Sequence, residues 1–146
     1  MKITICGSIS FMDEIRKHQI DLLEIGFKEA YIPKGFGNEK TDDRKLKDLL
    51  SKEEDSKRKI EYDLIRRHFN LIIQSDCVLV ANHKKKSIGG YIGGNTFLEM
   101  GYAYILGKPI FILNPLPDLP YITEMEGMQP IILYGDLQKI KNYYHF

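Results

Sequence analysis

Charge of one sign is missing from this chain: 21 Lys and Arg stand against 20 Asp and Glu, a formal net charge of +1. That balance argues against general affinity for a nucleic-acid polymer or an acidic membrane surface. Long apolar runs are missing as well, and those present are far too short to cross a bilayer. Cysteine is scarce. Cys6 and Cys77 each sit in an apolar, strand-like run, without metal-ligand spacing and without a disulfide framework. A reducing cytoplasm is therefore the expected location, and no metal or cofactor is expected. Met1-Lys2 leads directly into a strand pattern, with no signal peptide visible. No internal repeat and no linker divides the 146 residues, so residues 1–146 are read as a single domain with one substantial core.

What is there alternates between strand and helix. Lys2-Ile3-Thr4-Ile5-Cys6 is a short β-branched run ended by Gly7-Ser8. Ile15, Leu22 and Leu23 recur at helical spacing between about Met12 and Gly26, with Gly26 placed to stop the helix. Ala30-Tyr31-Ile32-Pro33 reads as a second strand, and Lys34-Gly35-Phe36-Gly37-Asn38 as loop. The dense mixed charge up to Lys59 is read as a solvated helical face. A longer helix is expected from about Glu53 to Gln74, with Ile60, Leu64, Leu71 and Ile72 turned inward and His68 on the same stripe. Cys77-Val78-Leu79-Val80-Ala81 is an unbroken apolar strand, and Asn82 to Ser87 an exposed loop. Strands at Pro109–Leu113 and Ile131–Tyr134, a short helix near Tyr121–Glu126 and a terminal helix capped by Asp136 complete the pattern. Such alternation predicts an α/β, three-layer, five-stranded parallel sheet with helices on both faces. Ligands of such sheets bind beyond the carboxyl ends of the strands, where Gly7–Ser10, Asn82–Asn95 and Asn114–Pro120 are expected to converge.

One stretch carries most of the chemistry. Gly89-Gly90-Tyr91-Ile92-Gly93-Gly94-Asn95-Thr96-Phe97-Leu98-Glu99 is a glycine loop running into a helix, a layout that offers backbone N–H groups to an anion. Thr96 or Asn95 is expected to cap the helix, with Glu99 in its first turn. Thr96 to Glu99 also fits a capping box, which would make Glu99 structural. In a partly dry cleft, the same carboxylate could instead attack a sugar carbon that develops positive charge. Gly7, Ser8, Ile9 and Ser10 after the first strand can donate to a phosphate or sugar, although Ser10 serves equally as a helix cap. Neither the dinucleotide fingerprint nor a P-loop is present. His68 suits either a satisfied core position or proton transfer at a nucleobase. Lys84-Lys85-Lys86 is ordinarily solvated surface, within reach of a phosphate. Asp76, just ahead of the strand, is read as a turn or capping residue.

The pairing of Ile5-Cys6-Gly7-Ser8-Ile9 with Gly93–Ala103 and Gly107-Lys108-Pro109-Ile110 resembles the nucleoside 2-deoxyribosyltransferase superfamily, most of all its 2′-deoxynucleoside 5′-monophosphate N-glycosidases. The resemblance implies a flavodoxin-like (Rossmann-like) sheet and cleavage of an N-glycosidic bond by hydrolysis or base exchange, with Glu99 as the nucleophile that takes the sugar. It implies a small nucleoside or nucleotide partner, a homodimer or higher oligomer, and sugar- or phosphate-binding roles for Gly7, Ser8, Ile9, Ser10, Gly93, Gly94, Asn95, Thr96 and Asn114. There are departures: His68 stands where the family has an aspartate, Ser10 where it has an arginine, and Asn95 where it has a glycine. Gly93–Glu99 also looks like the signature of the Lonely Guy phosphoribohydrolases. A nucleotide-binding sensor that has lost turnover is the alternative of another class.

Overall fold

A computed structural model describes residues 1–33 and 50–145. The loop expected at Lys34–Asn38 and the first part of the charge run lie outside the described residues. Five parallel strands form one sheet: β1 (Lys2–Cys6), β2 (Glu29–Tyr31), β3 (Cys77–Val80), β4 (Ile110–Ile112) and β5 (Ile131–Ile132). Their spatial order is β2-β1-β3-β4-β5, so the chain reverses its direction of winding between β1 and β3. In register, Ile3 stands between Ala30 and Cys77, and Cys6 beside Val80.

Alternation along the strands divides the core into two layers. Ile3, Ile5, Leu79 and Phe111 face α1 (Met12–Ile25) and α6 (Gln138–Tyr144), where they meet Ile15, Leu22 and Ile140. Cys6, Val78, Val80, Ile110 and Ile112 face the other way, toward Ile72, Met100, Ala103 and Met125. Those four belong to α3 (Leu64–Gln74), α4 (Gly94–Ile105) and α5 (Ile122–Gly127). Strands covered on both sides have no face left for polar residues, which is why Cys77–Val80 is apolar throughout. The expected fold class is the observed one.

Several local expectations change. The single helix from Glu53 to Gln74 is two: α2 (Lys52–Glu61) and α3, with left-handed Asp63 (φ 49°) between them. Asp and Asn tolerate that backbone better than most residues, and nothing in the pattern announces it. Once the helix breaks, Ile60 leaves the inward stripe and is 79% exposed, while His68 and Ile72 stay buried. Ser8, not Ser10, does the capping after β1: its hydroxyl accepts from the Ser10 N–H (3.3 Å) at a short 3₁₀ turn, Ile9–Phe11. Asp136 accepts from the Gln138 N–H at 3.0 Å, so it does close the start of α6, although the cap position itself is Leu137. Tyr144 packs against the core of its own chain, on Phe111.

The loop after β3 is built around a buried side chain. Asn82, expected on the surface, is 1% exposed. Its amide donates to the carbonyls of Gly90, Asn114 and Pro115, and its Oδ1 accepts from the Asn114 N–H at 2.8 Å. Both loops at the carboxyl end of the sheet are thereby tied to one residue. Gly90 (φ +63°) lies against this junction, and a Cβ there would strike the Pro115 carbonyl.

Candidate active site

The first helical turn of α4 differs from the expected one. Its N-cap is Gly93, with extended backbone (φ −82°, ψ 175°) and no side-chain cap. The helix therefore starts three residues sooner than a Thr96 cap would have it, and no acidic residue lies in its first turn. Thr96 is buried as part of the turn. Glu99 is consequently too far along to reach back as a capping box. Side chains on a helix lean toward its N-terminus, and Glu99 Oε1 accepts from Asn95 Nδ2, one turn back, at 2.9 Å. Gly93, Gly94 and Asn95 at the start of α4 line the cleft, and the first N–H groups of a helix have no partner within it.

That cleft has a volume of about 470 Å³, within the range that holds a nucleoside or nucleotide. It lies at the carboxyl ends of β1 and β3, where the winding reverses. Gly7, Ser8 and Ile9 line it from the end of β1; Gly93, Gly94, Asn95, Thr96 and Glu99 line it from α4; His68 lines it from α3. The fold thus brings together residues some 90 positions apart in sequence. Ser10 and Asn114 do not line it. Ser10 points to solvent, and Asn114 is engaged with Asn82.

Glu99 is 6% exposed and His68 7%. Burial disfavours charge on both. It pushes the Glu99 carboxyl up to about 8, against the opposing pull of the Cys6 thiol and the Asn95 amide. It holds His68 down at about 4, a neutral imidazole at ordinary pH. Their nearest atoms, His68 Nε2 and Glu99 Oε1, stand 3.7 Å apart. Neither ring nitrogen of His68, nor Oε2 of Glu99, has a well-formed hydrogen bond among the described residues. Buried polar atoms left in that state are uncommon, and here they belong to residues that line the cleft.

The cleft also gathers positive charge. Arg58, Lys59, Arg67 and Lys85 line it, against the carboxyls of Asp55 and Glu99. Asp55 takes Arg58 at 2.8 Å and Lys59 at 3.1 Å. Lys85 Nζ donates to Ser8 Oγ at 3.2 Å and lies 5.3 Å from the centre of the Tyr91 ring. A tight reversal presents it: Lys85 and Ile88 exchange backbone hydrogen bonds of 3.0 and 2.9 Å around left-handed Lys86 and Ser87. Sequence reasoning did not single out Cys6, Arg58 or Tyr91, and it could not choose among the three lysines. Only the turn distinguishes Lys85 from its exposed neighbours Lys84 and Lys86.

Fold and cleft together define an α/β domain with a five-stranded parallel sheet and a buried carboxyl at the switch point of that sheet. No family model and no curated protein matches the chain. Among solved structures, the 2-deoxyribosyltransferase of Bacillus psychrosaccharolyticus is similar over 86% of this chain and 81% of its own, with a TM-score of 0.54 and 15% identity. The CMP N-glycosidase BcmB of Clostridium botulinum is a looser match over 98% of this chain and 99% of its own, with a TM-score of 0.44 and 18% identity. The resemblance drawn from the sequence is borne out at the level of the fold, on the first of these likenesses.

Proposed function

We propose that this chain cleaves the N-glycosidic bond of a nucleoside or nucleoside 5′-monophosphate, with Glu99 as nucleophile. The observation that carries the proposal is the state of that side chain: buried on the cleft wall, with Oε1 steadied by Asn95 and Oε2 without a proper hydrogen bond among the described residues. Once ionised, a carboxylate oriented through one oxygen, with the other not hydrogen-bonded, suits attack on an anomeric carbon. In that step the Glu99 oxygen bonds to C1′ as the C1′–N bond breaks, and the base leaves with the bonding electrons and takes up a proton. Water or a second base then displaces Glu99 from the sugar. His68, neutral and facing the cleft, is placed to hydrogen-bond the base or a sugar hydroxyl. Gly7, Ser8 and Ile9, with the turn Gly93–Thr96, would hold sugar and phosphate. The cationic rim formed by Lys85 and Arg67 supports a phosphorylated substrate.

The test is release of free base from a panel of ribo- and deoxyribonucleosides and their 5′-monophosphates. Glu99→Ala should abolish release while the thermal melt stays cooperative. His68→Ala should slow it by about a hundredfold, the usual scale for a positioned proton donor. Undiminished turnover by Glu99→Ala would overturn the mechanism. Stabilisation by nucleotides with no base released from any of them would instead identify a binding module that lacks turnover.

A further inference from the structure

We propose that Cys6, His68 and Glu99 form a binding site for a zinc-class divalent metal ion at the inner wall of the cleft. The three residues come from separate elements: the last residue of β1, the middle of α3 and the second turn of α4. One donor atom from each, a sulfur, a ring nitrogen and a carboxylate oxygen, lies within 4.8 Å of the others. Among the described residues no other set of three such side chains comes so close.

The separation of His68 and Glu99 suits an ion better than a direct bond. His68 Nε2 and Glu99 Oε1 are 3.7 Å apart, too far for a hydrogen bond. Ligands held at zinc's usual lengths in a tetrahedral array stand about 3.3–3.6 Å from one another. An ion between them would take up electron pairs on His68 and Glu99 that now lack a proper partner. The donor chemistry selects the metal. A thiol is foreign to magnesium and calcium sites, whereas a sulfur–nitrogen–oxygen set fits zinc or cobalt. Three protein ligands leave a fourth position, and the cleft lies open beside it. Asn95, already bonded to Glu99 Oε1, would hold the carboxylate in place as an outer partner. On binding, the Cys6 thiol gives up its proton to solvent, as does the Glu99 carboxyl, which burial holds protonated at neutral pH.

Metal and substrate chemistry would then exclude one another, since an ion on Glu99 occupies the electrons needed for attack; this consequence alone rests on the proposed function. The test is titration of the chelator-treated full chain with Co²⁺ and with Zn²⁺, read by absorption. One equivalent of Co²⁺ should give four-coordinate visible bands and a sulfur-to-cobalt charge-transfer band, both displaced by Zn²⁺. Cys6→Ser should lose the charge-transfer band while Cys77→Ser keeps it. His68→Ala and Glu99→Gln should each weaken binding about tenfold or more. If Cys6→Ser does not fold, these two variants decide the question by loss of stoichiometric binding. Absence of one-equivalent binding by the wild type would overturn the proposal, as would a band that survives Cys6→Ser or vanishes in Cys77→Ser. Stoichiometric metal binding by a chain that releases no base when metal-free would sink the proposed function and leave the metal site standing.

Discussion

At the scale of single residues, the cleft shows how one position changes meaning with its surroundings. Lys85 belongs to a run of three lysines that composition alone assigns to solvent. The reversal at Lys86 and Ser87 turns its ammonium onto Ser8. If that ammonium receives the phosphate of a nucleotide, Lys85→Ala should raise KM for 5′-monophosphates by roughly tenfold to a hundredfold, the scale of one charge-assisted hydrogen bond. KM for the unphosphorylated nucleosides should be nearly unchanged. Equal effects on both substrate classes would show that Lys85 only shapes the loop. Glu99 was recognisable as a carboxyl at the start of a helix, and its choice between capping and catalysis was not. Where the helix begins decides that, and Gly93 sets the beginning by its extended backbone.

At the scale of elements, the loops at the carboxyl end of the sheet are tied together through Asn82 and pack closely at Gly90. Gly90→Ala combines a left-handed backbone with a Cβ driven against the Pro115 carbonyl. The backbone conformation alone should cost about 1–3 kcal/mol, so the variant should melt well below the wild type. A melt within a degree of the wild type would mean that the junction gives way easily. A second junction joins α1 to the loop after β3. His18 Nε2 and His83 Nε2 are 3.0 Å apart, with their rings stacked. Burial lowers both below the ordinary histidine value of 6.5. His83 and Lys17 add to the lowering at His18, while Asp21 and Glu14 oppose it; Glu14 also opposes the lowering at His83.

The sign follows from linkage. Groups whose folded values are depressed in this way stay neutral in the native state, while the unfolded chain takes up protons near pH 6.5. Stability contributed by the neutral pair is present above that pH. It is lost as the pH falls below it, toward and past the lowered folded values. Melting temperatures from pH 8 to 5 should therefore fall on the acid side, and less steeply in His83→Gln than in the wild type. Parallel curves would show that the pair titrates as freely as in the unfolded chain.

At the scale of the whole molecule, α3 and α4 each expose large apolar side chains away from the cleft lining. Ile73 on α3 is 47% exposed, and Leu98 and Ile105 on α4 are 41% and 83% exposed. Apolar exposure of this kind on adjacent helices marks contact surfaces. We expect the chain to self-associate through these helices, as a homodimer or larger assembly. Sedimentation at micromolar concentration should show a species heavier than the 17.0 kDa chain, reduced to monomer by pairing Ile73→Lys with Ile105→Lys. A wild type that sediments as a monomer at every concentration would rule this out. No helix among the described residues is long and apolar enough to cross a membrane.

The sequence by itself determined the layered parallel sheet, because hydrophobic periodicity is a local property and each strand and helix carries its own. It also determined that a glycine loop opens the helix of Glu99. The break at Asp63, the start of α4 at Gly93, the burial of Asn82 and the choice of Lys85 were decided only in the folded chain. Each depends on contacts between distant segments or on a backbone angle that several residues tolerate. The same is true of Cys6, His68 and Glu99, whose spacing along the chain signals nothing. Three elements must pack before their sulfur, nitrogen and oxygen atoms stand within 4.8 Å.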